Sequence, residues 1–302
     1  MRIFSGIVTY NPEIERLREN ITSIAKQTET VIVADNGSKN IDDIKKLLQH
    51  YNNVCLVELH SNKGIAAALN VIMQKASDCR VNWVLLMDQD SVATENMIAE
   101  MLPYVAKNVG IVSPVILDRN KGFKTKDTND NAIIEVTTAA RKGIITAGSL
   151  TNVCAWSRVG GFDEYMFIDY VDYDFNERLL LNGYKLLKVN RAKLIQEVGN
   201  AKPTWLYTPR KESDGSWKIE RFYAFGHSPM RCYYKARNRI YYTKKYGKYV
   251  LNKMEGVYQI PIQMMLVLLF ENNKHEKMKM FIKGVVDGTK KRVERYHPLC
   301  GA

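Results

Sequence analysis

Two carboxylates stand two residues apart at the end of an apolar run: in "NWVLLMDQDS", Asp88 and Asp90 follow directly on Trp83–Met87. On a continuing strand, side chains at i and i+2 point to the same side. At a strand end such a pair can converge on one hard cation, directly or through water. Carboxylate oxygens suit Mg²⁺ or Mn²⁺, which sit between one or two carboxylates and substrate phosphates. The same pair also fits a simpler role, capping and charging the start of the helix expected at 94–107. A second acidic cluster, "GGFDEYMFIDYVDYDFNERL", carries Asp163, Asp169, Asp172, Asp174 and Glu177 beside large aromatic rings. Part of it is helix capping. The surplus suits a general base, since apolar neighbours raise a carboxylate's pKa and its basicity.

The elements that must position these acids alternate regularly. Apolar, β-branched runs at 2–10, 30–34, 54–59, 82–87 and 109–117 read as strands. Between them, 12–27 repeats apolar residues at Ile14, Leu17, Ile21 and Ile24 and reads as a helix, as do 40–51, 64–76 and 94–107. Asn40 and Thr94 are the expected caps of the second and fourth. The rhythm predicts a parallel sheet covered by helices, an α/β fold. It breaks after about 120, where "KGFKTK", "AIIEVT" and "KGIITAGSLTNVCAW" read as short strands. A helix is expected at 172–184, a strand at 185–190, a long polar loop at 200–226, and helices at 229–246, 250–270 and 274–295. This gives two regions, 1–226 (halves about 1–117 and 118–226) and a basic helical region, 227–302.

Ligands of open α/β sheets bind at the carboxyl ends of the parallel strands. The first four strands end in "TYNP" (Thr9, Asn11), "ADNGS" (Asp35, Asn36, Gly37), "HSNKG" (Asn62, Lys63, Gly64) and "MDQDS" (Asp88, Asp90). Asn-Gly and Asn-Pro form turns in any protein, yet four such loops on one edge describe a pocket. The chain has no GxxxxGK[ST], and no GxGxxG follows strand one, so the pocket is neither a P-loop nor a dinucleotide fingerprint.

Composition is that of an ordinary globular protein: 302 residues, 46% hydrophobic and 25% charged. Five scattered cysteines without a CxxC pair argue against a disulfide framework and for a reducing cytosol. The N-terminus lacks the features of a signal peptide. The longest apolar stretch, residues 257–270, is 14 residues long and falls short of the roughly 20 a spanning helix needs. Charge is uneven: residues 201–302 hold 21 Lys+Arg against 8 Asp+Glu, or +13, and residues 1–200 hold 23 against 24, or −1. Such a field attracts nucleic acid, an anionic membrane or phosphorylated ligands. A nucleic-acid module would leave the strand-end loops and both acidic clusters unexplained, so no nucleic-acid partner is expected.

Taken in order, "TYNP", "ADNGS", "NKGIAAALN", "DQD", "GGFDEYMFIDYVDYDF" and "HSPMRCYYKARN" resemble the inverting, metal-dependent GT-A glycosyltransferases of family 2, in the bacterial rhamnosyltransferase branch. The resemblance implies a GT-A, Rossmann-like nucleotide-diphospho-sugar transferase fold with a C-terminal helical extension. It gives Thr9, Asn11 and Asp35 to the base, with Asn62, Lys63 and Gly64 flanking the nucleoside. Asp88 falls near the ribose and Asp90 on Mg²⁺ or Mn²⁺. It makes Asp172 the catalytic base and puts Asp174, Trp156 and the Thr146–Gly148 loop in the acceptor and sugar region. His227, Arg231 and Arg237 fall in the segment that serves the diphosphate. In one departure, Gln196 stands where relatives often carry a metal-binding His. The implied reaction moves a sugar, L-rhamnose from dTDP-L-rhamnose, to a glycan or polyprenyl-diphosphate-linked acceptor in cell-surface polysaccharide synthesis. A UDP-sugar donor such as galactofuranose is the alternative. The implied place is cytoplasmic, peripheral at the inner face of an anionic membrane, with pairing through the C-terminal helices as the expected self-association. The apolar 257–270 run fits either a buried helix or a segment lying in the membrane interface.

Overall fold

The structure, a computed structural model, describes residues 1–119, 131–139, 143–197, 202–211, 217–224, 226–249, 257 and 259–299. The expected strand at "KGFKTK" lies outside the described residues. By internal contacts the chain forms two compact units, Met1–Glu197 with His297–Ala302, and Val198–Tyr296. The division falls at 197/198, ahead of the 226/227 boundary expected from composition.

The first unit is built on a mixed sheet. Its strands are β1 (Ile3–Thr9), β2 (Thr30–Asp35), β3 (Val54–Glu58), β4 (Trp83–Asp88), β5 (Val92–Ala93), β6 (Val109–Asp118), β7 (Ile133–Glu135), β8 (Ser149–Asn152) and β9 (Lys185–Gln196). Among the described residues their order is β3-β2-β1-β4-β8-β6-β9-β5, with β7 against β9. The first four are parallel, and the register sets Thr9 opposite Asp35, Val8 opposite Asp88 and Asp35 opposite Glu58. Their polar ends therefore share one edge.

Helices α1 (Ile14–Ala25) and α2 (Ile41–Leu48) cover one face. Leu17, Ile21, Ile24, Ile44 and Leu47 pack there on the odd-numbered strand residues Ile3, Ile7, Val31, Val33, Leu85 and Met87. Ile32, Ala34, Val84 and Leu86 alternate to the other face and are buried as well. Here α3 (Ile65–Asp78) brings Ala66, Leu69, Ile72 and Met73. Burial on both faces is why these strands read as unbroken apolar runs. Each such side chain is worth about 1.5–3 kcal/mol against exposure to water.

Four expectations are corrected here. Asp88 and Asp90 do not cap a helix: the short strand β5 follows them, and α4 begins only at Met97. Thr94 is not the α4 cap, since Asn96 holds that position and Thr94 Oγ1 donates to the Lys193 carbonyl, 2.8 Å. That helix is also short, Met97–Met101, because Pro103 cannot continue it and the chain tightens into a 3₁₀ turn, Leu102–Tyr104. "VCAW" is helical, not extended: Asn152 Oδ1 accepts from Ala155 N (3.1 Å) and starts α5 (Val153–Arg158). Asn40 does occupy the cap position of α2 but makes no side-chain cap bond, its amide going to the Pro12 carbonyl.

The second unit holds an antiparallel ribbon, β10 (Lys202–Lys211) with β11 (Trp217–Ala224), and helices α7 (Pro229–Tyr246), α8 (Gln259–Phe270) and α9 (Lys274–Lys290). Within the long loop expected at 200–226, residues 202–211 and 217–224 form this ribbon instead. Pro203, Pro209 and many charges hide its alternation, and a two-stranded ribbon tolerates proline because half of its backbone groups face no neighbour. Ser228 Oγ caps α7 by accepting from Arg231 N (3.2 Å), with Pro229 at the first helical position. Cys232, Ala236, Ile240, Ile260 and Phe281 form this unit's core. Of the helix expected at 250–270, residues 250–256 and 258 lie outside the described residues. Among the described residues no helix is long and apolar enough to cross a membrane. The remaining helix of the first unit, α6 (Val171–Leu181), carries the second acidic cluster.

Candidate active site

The strand-end loops are stitched to one another by side-chain amides and carboxylates. Asp35, almost fully buried, accepts from Thr9 Oγ1 (3.0 Å) through Oδ1 and from the amides of Gly37 (3.1 Å) and Ser38 (2.9 Å) through Oδ2. Asn11 holds the first loop to the second, its Oδ1 accepting from Lys39 N (2.8 Å) and its own N–H reaching Ser38 Oγ (2.8 Å). Asn36 joins the second loop to the third: Nδ2 donates to Asn62 Oδ1 (3.1 Å) and Oδ1 accepts from Lys63 N (2.9 Å). The Lys63 side chain is exposed at this edge. Gln89, between the two acids, accepts from Tyr10 N at 2.9 Å and ties the fourth loop to the first.

Gly64 closes the third loop onto the second acidic cluster. Its φ is +88°, and a Cβ there would lie 2.7 Å from the Phe167 carbonyl oxygen, so only glycine fits. Next to it Ile65 N donates to that oxygen at 2.7 Å. Phe167 is itself strained: φ 61° and ψ −63°, with Ile168 N bonded to Met166 O (2.7 Å), make a γ-turn. Asp169 and Tyr170 also have positive φ, 61° and 67°. Three non-glycine residues in this region just before Asp172 are stored backbone strain, which clusters at functional sites.

Asp172 stands in the first turn of α6. Its Oδ1 accepts from Thr146 Oγ1, 3.0 Å away. Burial pushes its carboxyl up to about 6; the bonds from Thr146 oppose that rise and the nearby charge of Asp169 adds to it. A carboxylate in that range is ionised at neutral pH and basic enough to draw a proton from a hydroxyl. The loop from Thr146 to Gly148 is fixed in turn. Gly148 N donates to the Leu86 carbonyl (2.7 Å), and with φ +75° a Cβ would meet Pro114 at 2.8 Å. Thr146→Val is expected to move the acid limb of the kcat/KM–pH profile to higher pH, because the bond that favours the ionised form is lost. Thr146→Ser is expected to restore it, and an unmoved limb in the valine variant would show that this bond does not act on the base.

Asp88 and Asp90 lie at the same edge, both partly exposed. The pairing of β5 with β9 sets Val92 opposite Ile195 and so brings Gln196 beside them. Gln196 Nε2 donates to Asp88 Oδ2 at 2.8 Å, and Asn20 Nδ2 holds the Asp88 carbonyl at 2.5 Å. The glutamine therefore orients the first acid. Asp90 is raised from its ordinary value mainly by burial, with the charge of Glu197 adding to this and Arg16 opposing it. Arg16 is also paired with Glu197, 3.8 Å. Among the described residues no group of three or more His, Cys or acidic side chains is arranged to hold a metal ion. Two carboxylates with a third negative charge near them do fit a hard divalent cation whose other positions go to phosphate oxygens and water.

The other expected site residues have partners of their own. The Asp174 carboxylate is wholly buried and paired with Arg178 on its own helix (2.5 and 2.9 Å), and Arg178 also donates to the Val159 carbonyl, 2.6 Å. This is a structural ion pair, not an acceptor contact. Trp156 is buried on α5. β8 runs antiparallel to β4, from Ser149 opposite Leu86 to Asn152 opposite Trp83, so α5 starts at the opposite edge. There the indole donates to Asn70 Oδ1 (3.1 Å), which also accepts from Phe162 N, 2.8 Å. His227, Arg231 and Arg237 belong to the second unit. Lys235 Nζ donates to His227 Nε2 (2.5 Å), and the Arg237 guanidinium lies over the Tyr234 ring, 4.6 Å from its centroid. Sequence reasoning passed over Asn20, Gln89 and Glu197, and named Asn36 only as part of its strand-end turn. Each acts through a partner far along the chain, and only the motif context of Asn36 and Gln89 marked them.

Comparison with known proteins agrees with this geometry. The family model for glycosyl transferase family 2 matches residues 6–166. The chain is 29% identical over 296 residues, 95% of each sequence, to the dTDP-rhamnosyl transferase RfbF of Shigella flexneri. It is 24% identical over 226 residues, 62% of this chain and 73% of the other, to an N-acetylglucosaminyl-diphospho-decaprenol L-rhamnosyltransferase of Mycobacterium tuberculosis. Among solved structures it superposes on S. aureus TarS 1-349 in complex with UDP-GlcNAc with TM-score 0.60 and 16% identity, covering 95% of this chain and 80% of that one. GalNAc-T7 with UDP, GalNAc and Mn2+ gives TM-score 0.53 and 15% identity over 65% of this chain and 44% of that one. The fold is the GT-A glycosyltransferase fold, mixed α/β with a helical C-terminal part. With its strand-end loops, its two-acid edge and its activated carboxylate, this chain belongs to glycosyl transferase family 2.

Proposed function

We propose that this enzyme transfers L-rhamnose, with inversion, from dTDP-L-rhamnose to a hydroxyl of a lipid-linked or polysaccharide acceptor in bacterial cell-surface polysaccharide synthesis. The observation that carries the chemistry is Asp172, a carboxyl raised to about 6 and held by Thr146. The similarity to two rhamnosyl transferases, one along nearly the whole chain, supports the donor. The decaprenol-linked substrate in the second relative's name supports an acceptor carried by lipid.

In this reading Asp35, Thr9 and the Asn36–Asn62–Lys63 network receive the base and nucleoside. Asp88 and Asp90 would hold Mg²⁺ or Mn²⁺, which would supply positive charge to offset that left on the departing diphosphate. His227 and Arg231 are assigned to the diphosphate on the resemblance alone. Asp172 takes the proton of the acceptor hydroxyl while that oxygen attacks the anomeric carbon. The bond from that carbon to the diphosphate breaks on the far side, and its electron pair leaves with the nucleotide. Holding both substrates on one rigid sheet edge removes the entropy cost of their meeting. The reaction would take place at the inner face of the cytoplasmic membrane.

The test compares dTDP with UDP by calorimetry, and dTDP-L-rhamnose with UDP-sugars in transfer to a synthetic lipid-linked acceptor. A preference of about tenfold for the thymine nucleotide is expected, the order of one added methyl group in a fitted pocket. Turnover of UDP-sugars alone would assign a different donor class.

A further inference from the structure

The second unit carries a face that water does not suit. The ribbon register sets Tyr207 opposite Arg221 and Pro209 opposite Ile219. Side chains alternate across a strand, so Tyr207, Pro209, Trp217, Ile219, Arg221 and Tyr223 share one face. All six are exposed, with Tyr207 at 57%, Trp217 at 69% and Ile219 at 72%. The opposite face holds the better-buried Thr204, Leu206, Phe222 and Ala224. Trp205 is 68% exposed and leans on Phe270 at the end of α8, 5.2 Å between ring centroids. Phe222 meets the same ring at 6.0 Å. Phe222 belongs to the better-buried face, so it is Trp205 that joins the exposed apolar surface to α8, twelve residues without a charge, where Ile262, Met265, Leu268 and Leu269 are each about half exposed. Contiguous exposed apolar surface of this kind marks an interaction site.

Charge selects the occupant. The unit Val198–Tyr296 holds 21 Lys+Arg against 8 Asp+Glu, or +13, while the first unit is near neutral. Lys202, Lys218 and Arg221 are exposed on the ribbon itself, the Arg221 guanidinium lying 5.9 Å from the Tyr207 ring centroid. A second copy would present the same +13 and be repelled, whereas an anionic lipid surface is attracted. Trp and Tyr with an apolar body and a polar tip are suited to the headgroup level, and α8 is long enough to lie in that layer but not to span.

We propose that the outward face of the β10–β11 ribbon, together with the exposed side of α8, is the surface by which this chain seats on an anionic membrane. The proposal rests on the reading that the acceptor is carried by lipid, and it names the face of the protein involved.

The chain supplies its own reporters. Trp83 and Trp156 are buried, and Trp205 and Trp217 are exposed, so lipid-dependent emission changes come from the ribbon. The full chain is titrated with vesicles of phosphatidylglycerol and phosphatidylcholine carrying brominated acyl chains. Quenching and a blue shift are expected with anionic vesicles and little change with pure phosphatidylcholine. Trp217→Glu with Ile219→Glu is expected to lower the bound fraction at least about tenfold. Transfer to a water-soluble acceptor should be unchanged, which also reports that the variant is folded. Trp217→Phe should still sediment with vesicles although one reporter is gone. Absence of quenching with anionic vesicles, or equal binding by the double variant, would overturn the proposal. So would lipid-free self-association, seen by sedimentation, that shifts the same emission. Failure to use dTDP-L-rhamnose with vesicle binding intact would instead remove the proposed reaction and leave the surface standing.

Discussion

Asp172→Asn is expected to bind donor nucleotide as the parent chain does and to lose sugar transfer by about two to four orders of magnitude, the usual worth of a positioned general base. Asparagine keeps the shape and still offers an oxygen to Thr146 Oγ1, so the pocket stays built. The same variant is expected to be more stable at neutral pH. Burial raises the Asp172 carboxyl from 3.8 to about 6, so the folded chain holds that proton more tightly than the unfolded chain. The stabilisation it provides is complete below the unfolded value and is lost as pH rises through about 6. The gap corresponds to at most about 3 kcal/mol of strain from the buried charge at neutral pH. A neutral isostere removes that strain, so Asp172→Asn should melt a few degrees higher at pH 8. The difference should shrink towards zero as pH falls to about 4. Near-normal transfer by the variant would show that another group is the base. A melting temperature that does not respond to pH in this way would show that the carboxylate is not buried as described.

Asp90→Ala should abolish the divalent-cation dependence of donor binding while leaving the fold intact. Asp90 is raised by its burial and by the charge of Glu197, so its removal relieves repulsion and costs no core contact. Calorimetry with the nucleotide diphosphate, with and without Mg²⁺ or with EDTA, is the measurement. The parent chain should bind about a hundredfold more weakly when the metal is removed, and the variant should bind equally weakly in both conditions. Metal-dependent binding that survives in Asp90→Ala would take the two-acid edge out of the donor site. Asp88 is a less clean probe, because its carboxylate also receives Gln196 Nε2 and its carbonyl receives Asn20 Nδ2.

These carboxylates were legible for different reasons. Asp88 and Asp90 end a strand whose apolar run is unmistakable, and a parallel strand's carboxyl end has only one place to be. Asp172 stood out through composition and through its resemblance to family 2. Asp174 shared that composition, yet two positions along a helix is a rotation of about 200°. The same helix therefore turns Asp172 towards the site edge and Asp174 into the core. The signal that separates them was present: Arg178, four residues on, is the right distance to claim Asp174. Nothing local says that β8 runs against β4, and that reversal starts α5, which carries Trp156, at the far edge.

The sequence by itself determined the strand–helix rhythm, the shared polar edge of the first four strands, the uneven charge and the kinship with family 2. All of these follow from periodicity, turn chemistry and residue order, which act over a few residues at a time. Only the tertiary structure decided that Gln196 orients Asp88 from 108 residues away, that the Phe167 γ-turn is clasped to Gly64, and that 202–211 and 217–224 pair as a ribbon with Tyr207, Trp217 and Tyr223 facing water. Such pairings are chosen by the packing of whole elements, whose free energy is a sum over contacts that no short stretch of chain contains.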